Sequence, residues 1–272
     1  MTDRLTQIRH LVLDMDGTIY RGSTLFAWTL PFLRRLRDLQ IGHTFVTNNS
    51  SRGVDDYVTK LQGLGIPTSS EEVYTSTDAV IAYLRDRLPE VRRLWVLGTS
   101  GMVRQLEGAG YHVGDDRPEA VVVGFDTGLT YERLCRTAWW IGRGLPFIAS
   151  HPDRICPTDQ ATVLVDCGAI CACLTAATGR EPIVLGKPDP WMLSGICRRH
   201  GLRAEELAVV GDRLYTDMVM AQRAGAMSIL VLTGEATAEE AALLVPPPHL
   251  VVPNLGELGQ LLVRTRKQES LP

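Results

Sequence analysis

Leu11-Val12-Leu13-Asp14-Met15-Asp16-Gly17-Thr18-Ile19-Tyr20 is the stretch whose reading decides the fold. An apolar, β-prone run leads straight into two carboxylates two positions apart, then a glycine and a hydroxyl, the pattern of a buried strand that ends in a charged turn. Acids at i and i+2 straddle one turn, so one can attack an electrophile or bind a metal while the other delivers a proton. An ordinary strand closed by an Asp-Gly turn gives the same letters, because both residues are common turn formers. The remainder of the chain decides between the two.

Nine further β-prone runs lie downstream, at residues 43–48, 73–76, 94–98, 120–125, 147–150, 183–186, 207–211, 228–232 and 250–253, and amphipathic stretches lie between them. The alternation predicts an α/β fold with parallel sheets. Val54, Tyr57, Val58, Leu61 and Leu64 keep helical spacing up to Gly65, and residues 215–224 read as a helix closed by Gly225. The turn Gly98–Gly101 lacks the G-x-G-x-x-G of a dinucleotide site and reads as a plain strand-to-helix turn. Residues 264–272, R-T-R-K-Q-E-S-L-P, show no apolar face and are expected to fray.

The 272 residues are 45% hydrophobic and 22% charged, enough for one large domain or two medium ones. A net charge of −3 argues against a nucleic-acid partner or an acidic membrane surface, and Arg34, Arg35 and Arg37 read as a solvated helix face. No apolar run is long enough to span a bilayer and the first ten residues carry no export core, so a cytoplasmic location is expected. Cys167, Cys171 and Cys173 lack both a C-x-x-C pair and a histidine at ligand spacing, and read as small buried thiols on a helix. All six cysteines are expected to be free.

Three more motifs carry chemistry. In F-V-T-N-N-S-S, Thr47, Asn48 and Asn49 stand at a strand end, where hydroxyl, amide and N–H groups can grip phosphate oxygens, and Ser50 and Ser51 are placed to cap the next helix. In I-V-L-G-K-P, Lys187 comes after another strand and can offset charge between a carboxylate and a phosphoryl group. In L-A-V-V-G-D-R-L-Y-T-D, Asp212 ends a strand and Asp217 lies one turn on, hard oxygen donors that suit Mg²⁺. All four motifs fall at carboxyl ends of expected parallel strands, where open α/β sheets build their sites.

The order D-M-D-G-T, T-N-N, G-K-P, G-D-R-L-Y-T-D resembles the haloacid dehalogenase superfamily of phosphohydrolases, and more narrowly its NagD and p-nitrophenylphosphatase branch. L-T-Y-E-R-L near Leu129, S-H-P-D at Ser150 and V-L-T-G-E near Val231 extend the likeness over nearly the whole chain. The resemblance implies a Rossmann-like core of residues 1–78 and 183–272, interrupted by a large α/β cap of residues 79–182 that reads the substrate. It implies Asp14 as the nucleophile that forms an aspartyl phosphate and Asp16 as general acid and base. Mg²⁺ would be held by the Asp14 carboxylate, the Asp16 carbonyl and Asp212, with Asp217 in support. Thr47 and Asn48 would hold the phosphoryl oxygens, and Lys187 would bridge nucleophile and phosphate. Many relatives read A-T-N-P-D where this chain has A-S-H-P-D, so His151 stands in place of an amide.

The expected activity is thus Mg²⁺-dependent hydrolysis of phosphate monoesters of small metabolites. Nucleotide, sugar, glycerol and pyridoxal phosphates are the candidates, with p-nitrophenyl phosphate as an artificial substrate. The alternatives are a phosphomutase or phosphotransferase on the same fold, or a phosphometabolite-binding module without catalysis. Pro152 and Pro157 restrict the backbone of the loop 151–160, and the resemblance implies that this loop closes over the site and presents Arg154 and Cys156, beside His151, to the leaving group. Adjacent Trp139 and Trp140 point about 100° apart on one helix. That arrangement motivates the expectation of a homodimer through the cap.

Overall fold

The computed structural model describes residues 2–156 and 162–269. Among them the strands, in chain order, are β1 (His10–Asp14), β2 (Tyr20–Arg21), β3 (Thr24–Leu25), β4 (Gly42–Thr47), β5 (Val73–Thr75), β6 (Arg93–Leu97), β7 (His112–Val113), β8 (Ala120–Val123), β9 (Phe147–Ala149), β10 (Ile155–Cys156), β11 (Leu164–Val165), β12 (Ile183–Val184), β13 (Leu207–Gly211), β14 (Met227–Val231) and β15 (Leu250–Val252). The chain divides into two compact units, one of Met1–Val46, Lys60–Val73 and Ile196–Pro272, the other of Thr47–Thr59 and Tyr74–Gly195.

The first unit is built on a parallel sheet in the order β15-β14-β13-β1-β4, with β5 on the far edge. Leu11, Val12 and Leu13 are wholly buried, as are Leu207 to Val210 and Ile229 to Val231, because helices cover both faces of a parallel sheet and its central strands must be apolar throughout. The register pairs Leu13 with Val210 on one side of β1 and Asp14 with Val46 on the other. The carboxyl ends of β1, β4 and β13 therefore share one edge of the sheet. The second unit carries its own parallel sheet, β12-β9-β8-β6-β7. The helices Tyr131–Gly142 and Cys167–Thr178 pack on it through Ile141, Cys167, Ile170, Cys171 and Leu174 against Val121, Val123 and Phe147.

All ten β-prone runs are strands, each within a few residues of the expected bounds. The helix over Val54–Gly63 precedes a Gly65 with φ of 83°, and Leu214–Met218 with Val219–Ala224 close at Gly225, φ 77°. The first turn of that second helix is a π-turn, which the periodicity does not reveal. The strand-to-helix turn after β6 is present, with Thr99 accepting from the Met102 N–H. Arg34 and Arg37 are exposed and Arg35 half-buried on the helix Thr29–Asp38. No helix among the described residues is long and apolar enough to cross a membrane.

Three expectations need correction. Residues 264–269 do not fray but complete the helix Leu255–Glu269, where buried Thr265 continues the stripe of Leu255, Leu258 and Leu262 and bonds its hydroxyl to the Leu261 carbonyl at 3.0 Å. Arg266 supports this turn by donating to the Ile8 carbonyl at 2.7 Å. Residues 270–272 lie outside the described residues. Cys173 is exposed, since it falls on the solvent side of a helix that buries Cys167 and Cys171. Ser50 and Ser51 cap no helix. Ser50 Oγ meets Ser150 Oγ at 3.0 Å and accepts from the Phe125 N–H, while Ser51 turns back onto Asn49. All six cysteines are free thiols.

Buried histidines make the first unit sensitive to acid. His10 Nε2 lies 2.8 Å from Thr44 Oγ1, which is itself 3.1 Å from His200 Nε2, and the rings of His10 and His200 lie 4.3 Å apart. Burial first, then the charges of His200 and His43, pushes His10 down to about 3 from an ordinary value of 6.5. The native state therefore holds His10 neutral while the unfolded chain takes up a proton below pH 6.5. Its contribution to stability is complete above that pH and is lost at up to about 1.4 kcal/mol per pH unit as pH falls toward the folded value. Urea midpoints measured at about pH 7.5 and pH 5 should fall steeply for the parent and less steeply for His10→Asn. Equal slopes would show that another group carries the acid sensitivity.

Candidate active site

Asp14 is the last residue of β1 and is partly buried, and the chain then turns tightly. The Thr18 and Ile19 N–H groups donate to the Met15 carbonyl at 3.2 and 2.9 Å, and Gly17 donates to Tyr20 O at 2.8 Å. Asp16 is exposed on this turn, bridged to Tyr20, and can face a reacting group. Gly17 has φ of 81°, and a Cβ there would lie 2.4 Å from Asp212 Oδ2, so both backbone conformation and space require glycine.

Asp212 comes directly after β13, the neighbour of β1, and is buried. Its Oδ2 accepts from the Glu235 N–H at 2.9 Å and its carbonyl from Ala236 N–H at 3.1 Å. A Cβ at Gly234 would stand 1.8 Å from Oδ2, so Gly17 and Gly234 together form the slot that receives this carboxylate. Asp217 is fully buried on the π-turn and lies against Gly211, where a Cβ would come within 2.4 Å of its carboxyl carbon. Asp14, Asp212 and Asp217 each offer an oxygen, all within 4.8 Å of one another. Hard oxygen donors without sulfur or imidazole fit a small divalent cation such as Mg²⁺.

One contributor to this cluster escapes the sequence reading. Arg213 pairs with Glu235 at 2.9 Å, and although burial disfavours its charge, Asp14, Tyr215, Asp212 and Glu235 outweigh that and raise its pKa. The guanidinium is thus a fixed cation beside two of the clustered acids. A basic residue directly after Asp212 was the available signal, but spacing alone does not say where its head group goes.

Within the second unit the T-N-N motif and Lys187 are joined. Asn48 donates to the Lys187 carbonyl at 2.9 Å and accepts from the Lys187 N–H at 2.8 Å. The same amide donates to Asp153 at 3.1 and 3.3 Å. The Asn48 side chain therefore holds the main chain of Lys187. Asn49 Oδ1 accepts from the main-chain N–H and hydroxyl of Ser51 at 2.9 and 2.6 Å, which engages it in a local turn. Thr47 Oγ1 accepts from the Asn49 N–H at 3.1 Å, so its own hydroxyl hydrogen remains to donate. Lys187 is buried, and Gly186 before it has no room for a Cβ, which would meet His151 Cβ and Ser150 O at 2.6 Å.

Of the expected cap contacts, His151 is wholly buried, with Nδ1 3.4 Å from Asp153 and Nε2 3.5 Å from Asp166. Both ring nitrogens face carboxylates within the protein. Arg154 is exposed, and Cys156 is half-buried at the end of β10, which pairs with β11 in a hairpin whose Ile155, Leu164 and Val165 are exposed. Pro157 and the rest of 157–160 lie outside the described residues.

Fold and site define an α/β protein with an acidic metal-type cluster at the strand ends of a Rossmann-like parallel sheet. Residues 11–112 match the family described as haloacid dehalogenase-like hydrolase, and residues 184–258 match a second model of the same kind. A 4-nitrophenylphosphatase structure from Thermotoga maritima is 39% identical, with a TM-score of 0.90 over 94% of this chain and 98% of that one. An acid sugar phosphatase of Staphylococcus aureus is 32% identical over 93% of this chain and 97% of its own. A glycerol phosphate phosphatase from Mycobacterium tuberculosis in complex with magnesium is 31% identical, with a TM-score of 0.87 over 94% of this chain and 78% of that one. The chain belongs to the haloacid dehalogenase-like hydrolases, in their NagD and p-nitrophenylphosphatase branch. It is a phosphoric monoester hydrolase.

The glycine slot gives a direct test of the cluster. Gly234→Ala needs no unusual backbone conformation but places a methyl against Asp212. It should weaken Mg²⁺ binding about 10- to 100-fold, the usual scale for disturbing a ligand through its surroundings. Calorimetric titration with Mg²⁺ would show this, and an unchanged affinity would remove Asp212 from the metal site.

Proposed function

We propose that this protein is a Mg²⁺-dependent phosphatase of small phosphorylated metabolites that works through an aspartyl phosphate. The observation that carries the reading is the convergence of Asp14, Asp212 and Asp217 within 4.8 Å at the carboxyl ends of neighbouring strands. Asp14, Asp212 and Asp217, with the Asp16 carbonyl, would hold the metal. Bound there, Mg²⁺ supplies charge neutralisation for the phosphoryl oxygens.

Asp14 attacks phosphorus and the bond to the leaving oxygen breaks, while Asp16 gives that oxygen a proton. Asp16 then takes a proton from water, which attacks the phosphorus of the aspartyl phosphate, releases inorganic phosphate and restores the Asp14 carboxylate. The Thr47 hydroxyl and the Lys187 ammonium carry phosphoryl negative charge, which matters because unaided monoester hydrolysis needs acceleration of up to about 10²¹-fold. Residues 79–182 form the cap that reads the leaving group, with Arg154 and Cys156 near the β10–β11 hairpin as its candidate contacts. The resemblance to nitrophenyl, sugar and glycerol phosphate phosphatases supports a small, uncommitted substrate class. Free thiols throughout suit the cytoplasm. The exposed Leu129, Tyr131 and Trp139 mark the surface through which two caps would pair, and light scattering giving a monomer mass at high concentration would remove that part of the proposal.

Asp14→Asn should abolish Mg²⁺-dependent hydrolysis of p-nitrophenyl phosphate. Asp16→Asn should cost on the order of 10² to 10⁴ in kcat for alkyl phosphates and less for the nitrophenyl ester, whose leaving group hardly needs a proton. Parent-like turnover by Asp14→Asn would refute the mechanism.

A further inference from the structure

In the second unit a row of neighbouring polar groups runs from a helix start to the main chain of Lys187, with His151 Nδ1 in ion-pair range of Asp153 but without a hydrogen bond. Asp166 caps the helix Cys167–Thr178, accepting from the Cys167 N–H at 2.5 Å, and its Oδ1 lies 3.5 Å from His151 Nε2. His151 Nδ1 lies 3.4 Å from Asp153 Oδ2, Asp153 accepts from the Asn48 amide, and Asn48 clamps the N–H and carbonyl of Lys187. Main-chain bonds fix the middle of the chain. The Gly168 N–H donates to Asp153 O at 2.7 Å and the Asp166 N–H to Arg154 O at 3.0 Å, and Gly168 has no space for a Cβ, which would stand 2.0 Å from Pro152 O.

We propose that His151 is a positioning residue whose imidazolium, protonated on both nitrogens, joins Asp166 to Asp153 and thereby sets Asn48 and Lys187 for phosphoryl binding. The inference rests on the reading of Lys187 as the cation that contacts phosphate. Two carboxylates beside one fully buried ring call for a cation between them, since an unpaired buried charge is expensive. A neutral ring would offer a hydrogen to one carboxylate and a lone pair to the other. The groups facing the ring are Asp153, Asp166, the Cys167 thiol, which points to the Val123 carbonyl at 3.4 Å, and the Ser50 hydroxyl at 3.5 Å. Burial disfavours the charge, but the negative charge of Cys167 as a thiolate, then Asp153 and Asp166, outweigh it and raise His151 to about 9, while His151 in turn helps lower Cys167 to about 6. Burial would likewise push Asp153 up, but His151, Asn48 and Lys187 outweigh it and hold its carboxyl below the usual value. An amide at position 151 carries no titrating proton, so the proton dependence is particular to histidine here.

The test combines a readout of the ring with a readout of catalysis. Nitrogen NMR of the ¹⁵N-histidine-labelled protein at about pH 7.5 should show one imidazole bearing two N–H groups, a signal absent from His151→Asn. The parent kcat for p-nitrophenyl phosphate should fall on the alkaline side with a midpoint of about 9. His151→Asn should lose that limb and lower kcat about 10-fold below it, as loss of a supporting partner does. Asp166→Asn keeps an oxygen for the helix cap and should move the limb about one unit toward neutral pH. A singly protonated ring at pH 7.5, or the same alkaline limb in parent and both variants, would overturn the proposal. An inactive parent would instead refute the phosphatase reading, and the NMR result would still decide the state of His151.

Discussion

Three carboxylates held within 4.8 Å of one another, two of them buried, are the constraint around which the first unit is built. Like charges at that distance repel strongly in a low-dielectric setting, so the arrangement persists only where the backbone forces it and cations offset it. β1 and β13 are neighbours in the sheet, which brings the residues after Leu13 and Val210 to adjacent strand ends. Gly17, Gly211 and Gly234 remove side chains where Asp212 and Asp217 must enter. Arg213 and the Glu235 N–H contribute positive charge from the protein. The remaining negative charge is what would hold a divalent cation at this cluster.

The range of each interaction sets how much of it is legible in the sequence. The central strands are legible because β1, β13 and β14 are buried on both faces and hence continuously apolar. The two-residue strands β2 and β3, and β10 and β11, carry no such run, since each pairs with only one partner in a small hairpin. Asp14 and Asp212 are legible because each stands where a strand stops, and Asp16, Lys187 and Asp217 because they follow a strand end within a few residues. The destinations of Asn48, Ser50 and Arg213 are not. Asn48 meets Lys187 across 139 positions of sequence, and Ser50 meets Ser150 across 100. The order of the tail is hidden for a related reason: Thr265 is buried as an apolar residue would be because its hydroxyl is satisfied within its own helix.

In the second unit two residues that read as ligand contacts are engaged by other groups of the protein. Asn48 is a strand-end amide of the kind expected to grip a ligand, yet its donors and its acceptor are engaged by Asp153 and Lys187. His151 is a histidine near a site, yet it is sealed from solvent with a carboxylate at each nitrogen. Both are engaged by groups of the protein itself, and residue type alone does not separate such an arrangement from direct contact with substrate.

The central claim is that Asp14 carries the phosphoryl group during turnover. Asp16→Asn protein, in which hydrolysis of the intermediate is slowed, can be mixed with Mg²⁺ and p-nitrophenyl phosphate, acid-quenched and digested for peptide mass spectrometry. The account predicts a phosphoryl adduct on the peptide containing Asp14, with fragment ions that assign it to that residue and a yield that rises and falls within the time course. An adduct on another residue, or burst release of nitrophenol with no adduct at any time, would contradict it.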